Sequence, residues 1–165
     1  MYLLDINVWI AMAFNQHQNY NSARAWFNGL PGQSQCYFCR YTQMGFLRLS
    51  TNPRANPLQT QTLSQTSNRN IPLSKTTRAN PLQTQTLSQA WAIYDQTMLD
   101  PRIGFTQEPA GLESQWRPLT QLGTYSHDHW NDAYLAAFAI AADLEVVTFD
   151  VGFKQFPGLR STILS

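Results

Sequence analysis

The alternation of apolar and polar positions divides the chain into short strands and helices. Met1 to Leu4 is an apolar run, and beyond Asp5 the stretch Val8 to Phe14 reads as helix. A second helix is predicted over Ser22 to Phe27, capped by Asn19 or Asn21 and closed by Gly29, with Ala23, Trp26 and Phe27 on one face. After the Pro31-Gly32 turn, Cys36 to Cys39 fits a strand, and Arg40 to Leu49 fits a helix with Met44, Phe46 and Leu47 inward. An amphipathic helix follows, offering Leu87, Trp91, Ile93, Tyr94 and Met98 for packing, and then a strand over Ile103 to Thr106. Pro109 is placed to open the next helix, with Leu112, Trp116 and Leu119 on one face. Ala133 to Ala142 is apolar on every side, yet far shorter than the roughly 20 residues that cross a bilayer, so it reads as a helix buried in a protein core. Glu145 to Thr148 has the β-branched content of an interior strand, and Ser161 to Leu164 supplies a last edge strand. Strands separated by helices predict one α/β domain spanning residues 1–165, a three-layer α/β/α sandwich on a mostly parallel sheet of four or five strands.

Three aspartates stand at telling places in this pattern. Asp5 and Asp150 each follow a strand, and Asp132 lies in the first turn of the buried helix, where free N–H groups favour a carboxylate. Open α/β sheets build their sites at the carboxyl ends of strands, so Asp5, Asp132 and Asp150 are predicted to converge. Carboxylates sharing a pocket raise one another's pKa unless a cation is present. Oxygen ligands suit a hard divalent cation, Mg²⁺ with Mn²⁺ as a substitute. Asn131 and Thr148 are polar groups placed to support such a pocket, and Asp128, which together with Ser126 can cap the buried helix, is a further candidate. His127 and His129 flank Asp128, but imidazole ligands suit Zn²⁺ better, and they stay outside the ligand set. Cys36 and Cys39 read as a buried, reduced pair, and His17 as a surface residue.

The net charge of +1 says little, but its distribution says more. No acid occurs between Ile6 and Tyr94, a stretch holding Arg24, Arg40, Arg48, Arg54, Arg69, Lys75 and Arg78, whereas nine of the ten acids lie from Asp95 onward. A basic half folded against acidic strand ends would suit a phosphate backbone crossing a metal site. Arg40, Arg48 and Lys154 are the candidates for such contacts. With neither a signal sequence nor a membrane span in view, a cytoplasmic protein is expected.

Four blocks, LLDINVWIA (3–11), TQMGFLRLSTNP (42–53), WNDAYLAAFA (130–139) and VVTFDVGF (146–153), resemble the successive blocks of a PIN-domain ribonuclease, more narrowly a VapC-type toxin of a bacterial toxin–antitoxin pair. The resemblance implies a Mg²⁺-dependent endoribonuclease with Asp5, Asp132 and Asp150 as catalytic metal ligands, a cognate antitoxin, and pairing into a homodimer. Many PIN domains place a Glu early in the third helix as a fourth acid. This chain has none there; Gln43 stands nearest, and Glu113 is the substitute acid. A phosphatase using Asp5 as nucleophile would want a second nearby Asp, and position 7 is Asn. The alternative in a different class is a silent PIN-fold module that binds RNA or antitoxin without turnover.

RANPLQTQTLSQ occurs at 54–65 and again at 78–89. Two copies are too few for a solenoid, and a tandem duplication that inserted residues 54–77 as a loop explains them.

Overall fold

The computed structural model describes residues 1–15, 17–33, 35–52, 85–122 and 127–165. Five strands, β1 (Tyr2–Leu4), β2 (Cys36–Phe38), β3 (Ile103–Phe105), β4 (Glu145–Thr148) and β5 (Ser161–Ile163), form one parallel sheet in the order β3-β2-β1-β4-β5. Among the described residues six α-helices cover it: α1 (Ile6–Ala13), α2 (Tyr20–Asn28), α3 (Arg40–Ser50), α4 (Leu87–Met98), α5 (Leu112–Leu119) and α6 (His129–Ala141). The expected three-layer α/β/α sandwich is present, with all described strands parallel.

Strand alternation builds the two faces. Leu3 and Val146 point into one core with Ala133, Ala137 and Phe138 of α6, while Leu4 and Val147 point into the other with Trp9, Phe27 and Phe46. Cys36 and Cys39 separate in the same way, each buried and free in a different core, as a reduced structural pair requires. The Cys39 backbone N–H donates to Thr42 Oγ1 at 3.0 Å, so this cysteine serves as the cap position of α3.

Several details differ from the sequence expectation. Met44 is 63% exposed, and the buried face of α3 is instead Thr42, Gln43, Gly45, Phe46 and Ser50. Leu87 and Trp91 lie on the solvent side of α4, which buries Ala90 and Tyr94. Pro109 precedes α5 without opening it; Gly111 at φ 80° starts the helix, because only a residue without Cβ takes that conformation freely. Asn19 and Asp128 occupy the N-cap positions of α2 and α6, but neither side chain makes the capping bond. Ser126 and residues 54–84 of the repeat lie outside the described residues.

The strand order carries the functional consequence. From β1 the chain moves outward through β2 and β3, then returns to the other side of β1 with β4 and β5. The direction reverses between β1 and β4, and loops leaving neighbouring strands there diverge and open a crevice at the carboxyl edge.

Candidate metal-dependent nuclease site

Asp5 follows β1 and Asp150 follows β4, so both stand at that crevice. Asp5 is also the N-cap of α1, its Oδ1 accepting the Ile6 N–H at 2.6 Å. Its Oδ2 accepts from Asn7 Nδ2 and from the Thr148 hydroxyl, each at 2.7 Å. Thr148 is fully buried and in turn accepts from Asn7 Nδ2 and from the Asp150 N–H, both at 3.0 Å. Asn7 closes the network by accepting the Phe149 N–H at 3.3 Å. Asp150 Oδ1 accepts the Gly152 N–H at 2.7 Å and caps the 3-10 helix Val151–Gln155; a Cβ at Gly152 would stand 3.0 Å from that oxygen. One hydroxyl and one carboxamide thus hold the Asp5 carboxylate and, at the same time, the backbone N–H groups of Phe149 and Asp150, while the Asp150 carboxylate is held by the Gly152 N–H.

The third carboxylate comes from α6. Burial, and then the charges of Asp150, Asp5 and Asp128, push the half-buried Asp132 up to about 6, against a smaller opposing effect of His129. Burial also raises Asp5, with Asp150 adding to the rise and the bonds from Thr148, Ile6 and Asn7 working against it. Asp5, Asp132 and Asp150 thus act on one another through their charges. Among the described residues, however, no three His, Cys, Asp or Glu side chains come together as a group that could hold a metal ion by itself. Carboxylate oxygens at an open crevice are the donor type that hard divalent cations take together with water and substrate phosphate.

The remaining candidates divide sharply. Asn7 and Thr148 belong to the network. Gln43 does not: it is buried on the other side of α3, where it accepts from Arg40 and bonds the Tyr94 phenol. Glu113 lies on the exposed face of α5 in an i,i+4 ion pair with Arg117 and contributes nothing to the crevice. Asn131 is exposed, with no side-chain hydrogen bond to the acids. Asp128 raises Asp132 through its charge, and its carbonyl accepts the Asp132 N–H at 3.1 Å. Arg40 stacks 4.9 Å above the Phe105 ring at the far side of β2 and β3. Arg48 and Lys154 are exposed, and neither forms an ion pair among the described residues. His129 packs on Phe156 with Nε2 3.0 Å from the Leu119 carbonyl, a structural position. His17 follows the end of α1, a helix length from Asp5, and is lowered by burial.

One residue of the crevice has no counterpart in the sequence reading. Tyr41 is half-buried against both cores, its ring 5.5 Å from Tyr134, and its phenol is raised to about 12 by burial, Asp5 and Asp132. Helical spacing was the available signal: Tyr41, Gly45 and Arg48 share one face of α3.

A parallel sheet of this order with acids at its switch point defines a PIN-type protein. VapBC2 of Rickettsia felis, solved with a promoter DNA fragment, matches at a TM-score of 0.65 over 99% of this chain and 98% of its own, at 14% identity. The DNA-bound VapBC of Salmonella typhimurium matches at 0.59 over 98% and 96%, at 17% identity. No protein-family model matches the sequence. In sequence, the chain is 34% identical to Ribonuclease VapC41 of Mycobacterium tuberculosis over 100% of its own length and 99% of that protein's. Ribonuclease VapC38 of the same organism is 39% identical over 34% of this chain and 40% of its own length. The chain belongs to the VapC family of PIN-domain ribonucleases.

Proposed function

We propose that the protein is the toxin of a toxin–antitoxin pair, an endoribonuclease that hydrolyses RNA phosphodiester bonds at the crevice between β1 and β4. The observation that carries this reading is the network in which Thr148 and Asn7 hold the Asp5 carboxylate and the backbone leading into Asp150, with the charges of both acids acting on Asp132. Asp5, Asp132 and Asp150 would hold Mg²⁺, or Mn²⁺ in its place. The cation supplies Lewis acidity that makes water a nucleophile at neutral pH and offsets charge on the phosphate. The chain's own residues do the rest. Asp5 keeps at most one lone-pair site beyond its three hydrogen bonds, which fixes the direction in which it can ligate. Thr148 and Asn7 lock that direction, and Arg48 and Lys154 attract the RNA backbone as point charges. The products are a 5′-phosphate and a 3′-hydroxyl.

The solved neighbours are toxin–antitoxin complexes, and the chain offers a seat for such a partner. A groove of about 690 Å³ opens between α1, α2 and α4, with Met12, Phe27, Ile93 and Leu99 as apolar lining and Arg24 and Asp100 as charged lining. An antitoxin segment with an apolar face and charges of both signs fits it. Association of two copies is part of the same reading, and light scattering of the purified protein tests it. No helix among the described residues is long and apolar enough to cross a membrane.

The discriminating experiment is cleavage of labelled RNA by antitoxin-free protein in Mg²⁺, Mn²⁺ or EDTA, beside Asp150→Asn. Metal-dependent cuts lost in the variant support the nuclease. Folded, metal-supplied protein that binds RNA without cutting it would establish the silent module.

A further inference from the structure

We infer that Tyr41 is a substrate contact of this site, its hydroxyl donating a hydrogen bond to a phosphate oxygen of the RNA held at the acid crevice. This rests on the ribonuclease reading and adds to it a residue outside the aspartate set. The geometry begins in α3, which leaves the carboxyl end of β2 and packs against α1. The contact is so close at Gly45 that a Cβ there would fall 2.2 Å from Ile6 Cδ1, and Ile6 is the residue after Asp5. Tyr41 is one turn nearer the start of α3 on the same face, which brings it toward the edge where Asp5 stands.

From the other side, Tyr134 of α6 approaches the Tyr41 ring to 5.5 Å, and Tyr134 is itself fixed by donating to Glu108 at 3.0 Å and by an edge contact with Trp116 at 5.3 Å. The Tyr41 ring therefore packs between α3 and α6, and it belongs to the packing of both cores. Its hydroxyl makes no hydrogen bond among the described residues, although Asp5, Asp132 and Arg48 all act on it electrostatically. A rigid ring that ends in an uncommitted donor, with Asp5 and Asp132 acting on it, is suited to an anion once a cation offsets those charges. The carboxylates need an offsetting cation before a phosphate can enter, and the neutral donor then adds a directional contact without adding charge. A phenol is a donor at any physiological pH. Gln43, with its carboxamide spent on Arg40 and Tyr94, cannot serve this purpose.

The test uses Tyr41→Phe, which keeps the ring and removes only the hydroxyl. Single-turnover cleavage is measured for wild type, Tyr41→Phe and Asp150→Asn across a Mg²⁺ titration. Affinity for a labelled RNA oligonucleotide is measured in the Asp150→Asn background with and without Tyr41→Phe. The expected result is at least tenfold slower cleavage, about tenfold weaker RNA binding, an unchanged Mg²⁺ midpoint and an unchanged Tm. Cleavage and binding within twofold of the parent overturn the assignment while leaving the nuclease reading intact, provided that Asp150→Asn is inactive. A shifted Mg²⁺ midpoint with unchanged RNA affinity also overturns it, since the phenol would then be acting on the cation site. A wild type that cuts no RNA overturns the nuclease reading and this assignment together.

Discussion

At the scale of single residues, the three aspartates are not equivalent, and removing each charge should have a different cost. Asp5 accepts hydrogen bonds from a backbone N–H, a carboxamide and a hydroxyl, so the amide group of Asn in its place would face a donor. Asp5→Asn is expected to lose about 1–3 kcal/mol of stability in urea unfolding as well as cleavage. Asp150→Asn should leave stability within about 0.5 kcal/mol, because Asn caps the Gly152 N–H as well as Asp does. Asp132 differs again, since its carboxylate is opposed by its neighbours. Its folded pKa of about 6 lies above the unfolded value near 4, so between these pH values the folded state holds the extra proton. Metal-free protein should therefore gain stability as pH falls from 7 toward 5, and Asp132→Asn should flatten that part of the Tm profile. Mg²⁺ must displace the same proton, so its apparent affinity should drop about tenfold per pH unit below 6 and level off above it. Calorimetric titration at pH 5 and pH 7.5 measures this. Strand ends made Asp5 and Asp150 candidates in the sequence. Residue type and rough position do not give helix phase: Gln43 is about 200° round α3 from Tyr41 and bonds Arg40 and Tyr94, and Glu113 pairs with Arg117 on α5.

Among the elements, α3 decides how tightly the crevice is built. Gly45 lets α3 approach α1 to a distance that no larger residue allows, with Ile6 Cδ1 and Cγ1 at 2.2 and 2.8 Å from the place a Cβ would take. Gly45→Ala should destabilise by about 1–3 kcal/mol through overpacking, despite the better helix propensity of Ala. Adding Ile6→Val, which deletes Cδ1, should recover part of the loss. A double variant as unstable as the sum of the singles would show that the contact does not limit the packing. The strands and helices themselves were readable because period 2 and period 3.6 separate cleanly here, even in strands of three or four residues. The sequence also held an unread signal in Thr86-Leu87-Ser88-Gln89. Thr86 and Gln89 form a reciprocal capping box, with bonds of 3.2 and 2.8 Å, and this is why α4 starts where it does. Buried faces were less legible. Met44 and Trp91 are apolar and yet exposed, because α3 and α4 are covered on one side only and their phase is set by Phe46 and Tyr94, which meet each other and Phe38.

For the whole molecule, the crevice and the α1–α2–α4 groove lie toward opposite ends of α1, and they should separate by mutation. Leu99 lines the groove and is 71% exposed, so Leu99→Glu should leave RNA cleavage intact while weakening inhibition by antitoxin at least tenfold. The duplicated segment poses the larger question. Taking residues 54–77 as an insertion, their deletion leaves one copy of RANPLQTQTLSQ, and the TLSQ that caps α4 is retained at 86–89. The capping box does not depend on the first copy, and the elements on either side, α3 and α4, pack against each other directly. On that reading the 24 residues add chain length between two docked helices. Shortening a connection about threefold lowers its closure cost by about 1 kcal/mol. The deletion variant should accordingly be as stable as the full chain or up to about 1 kcal/mol more stable, with unchanged urea m-value and unchanged cleavage sites. A loss of several kcal/mol would mean that the segment packs as part of the domain. Retained stability with altered cleavage sites would place it on the path of the RNA, in keeping with its Arg54, Arg69 and Lys75.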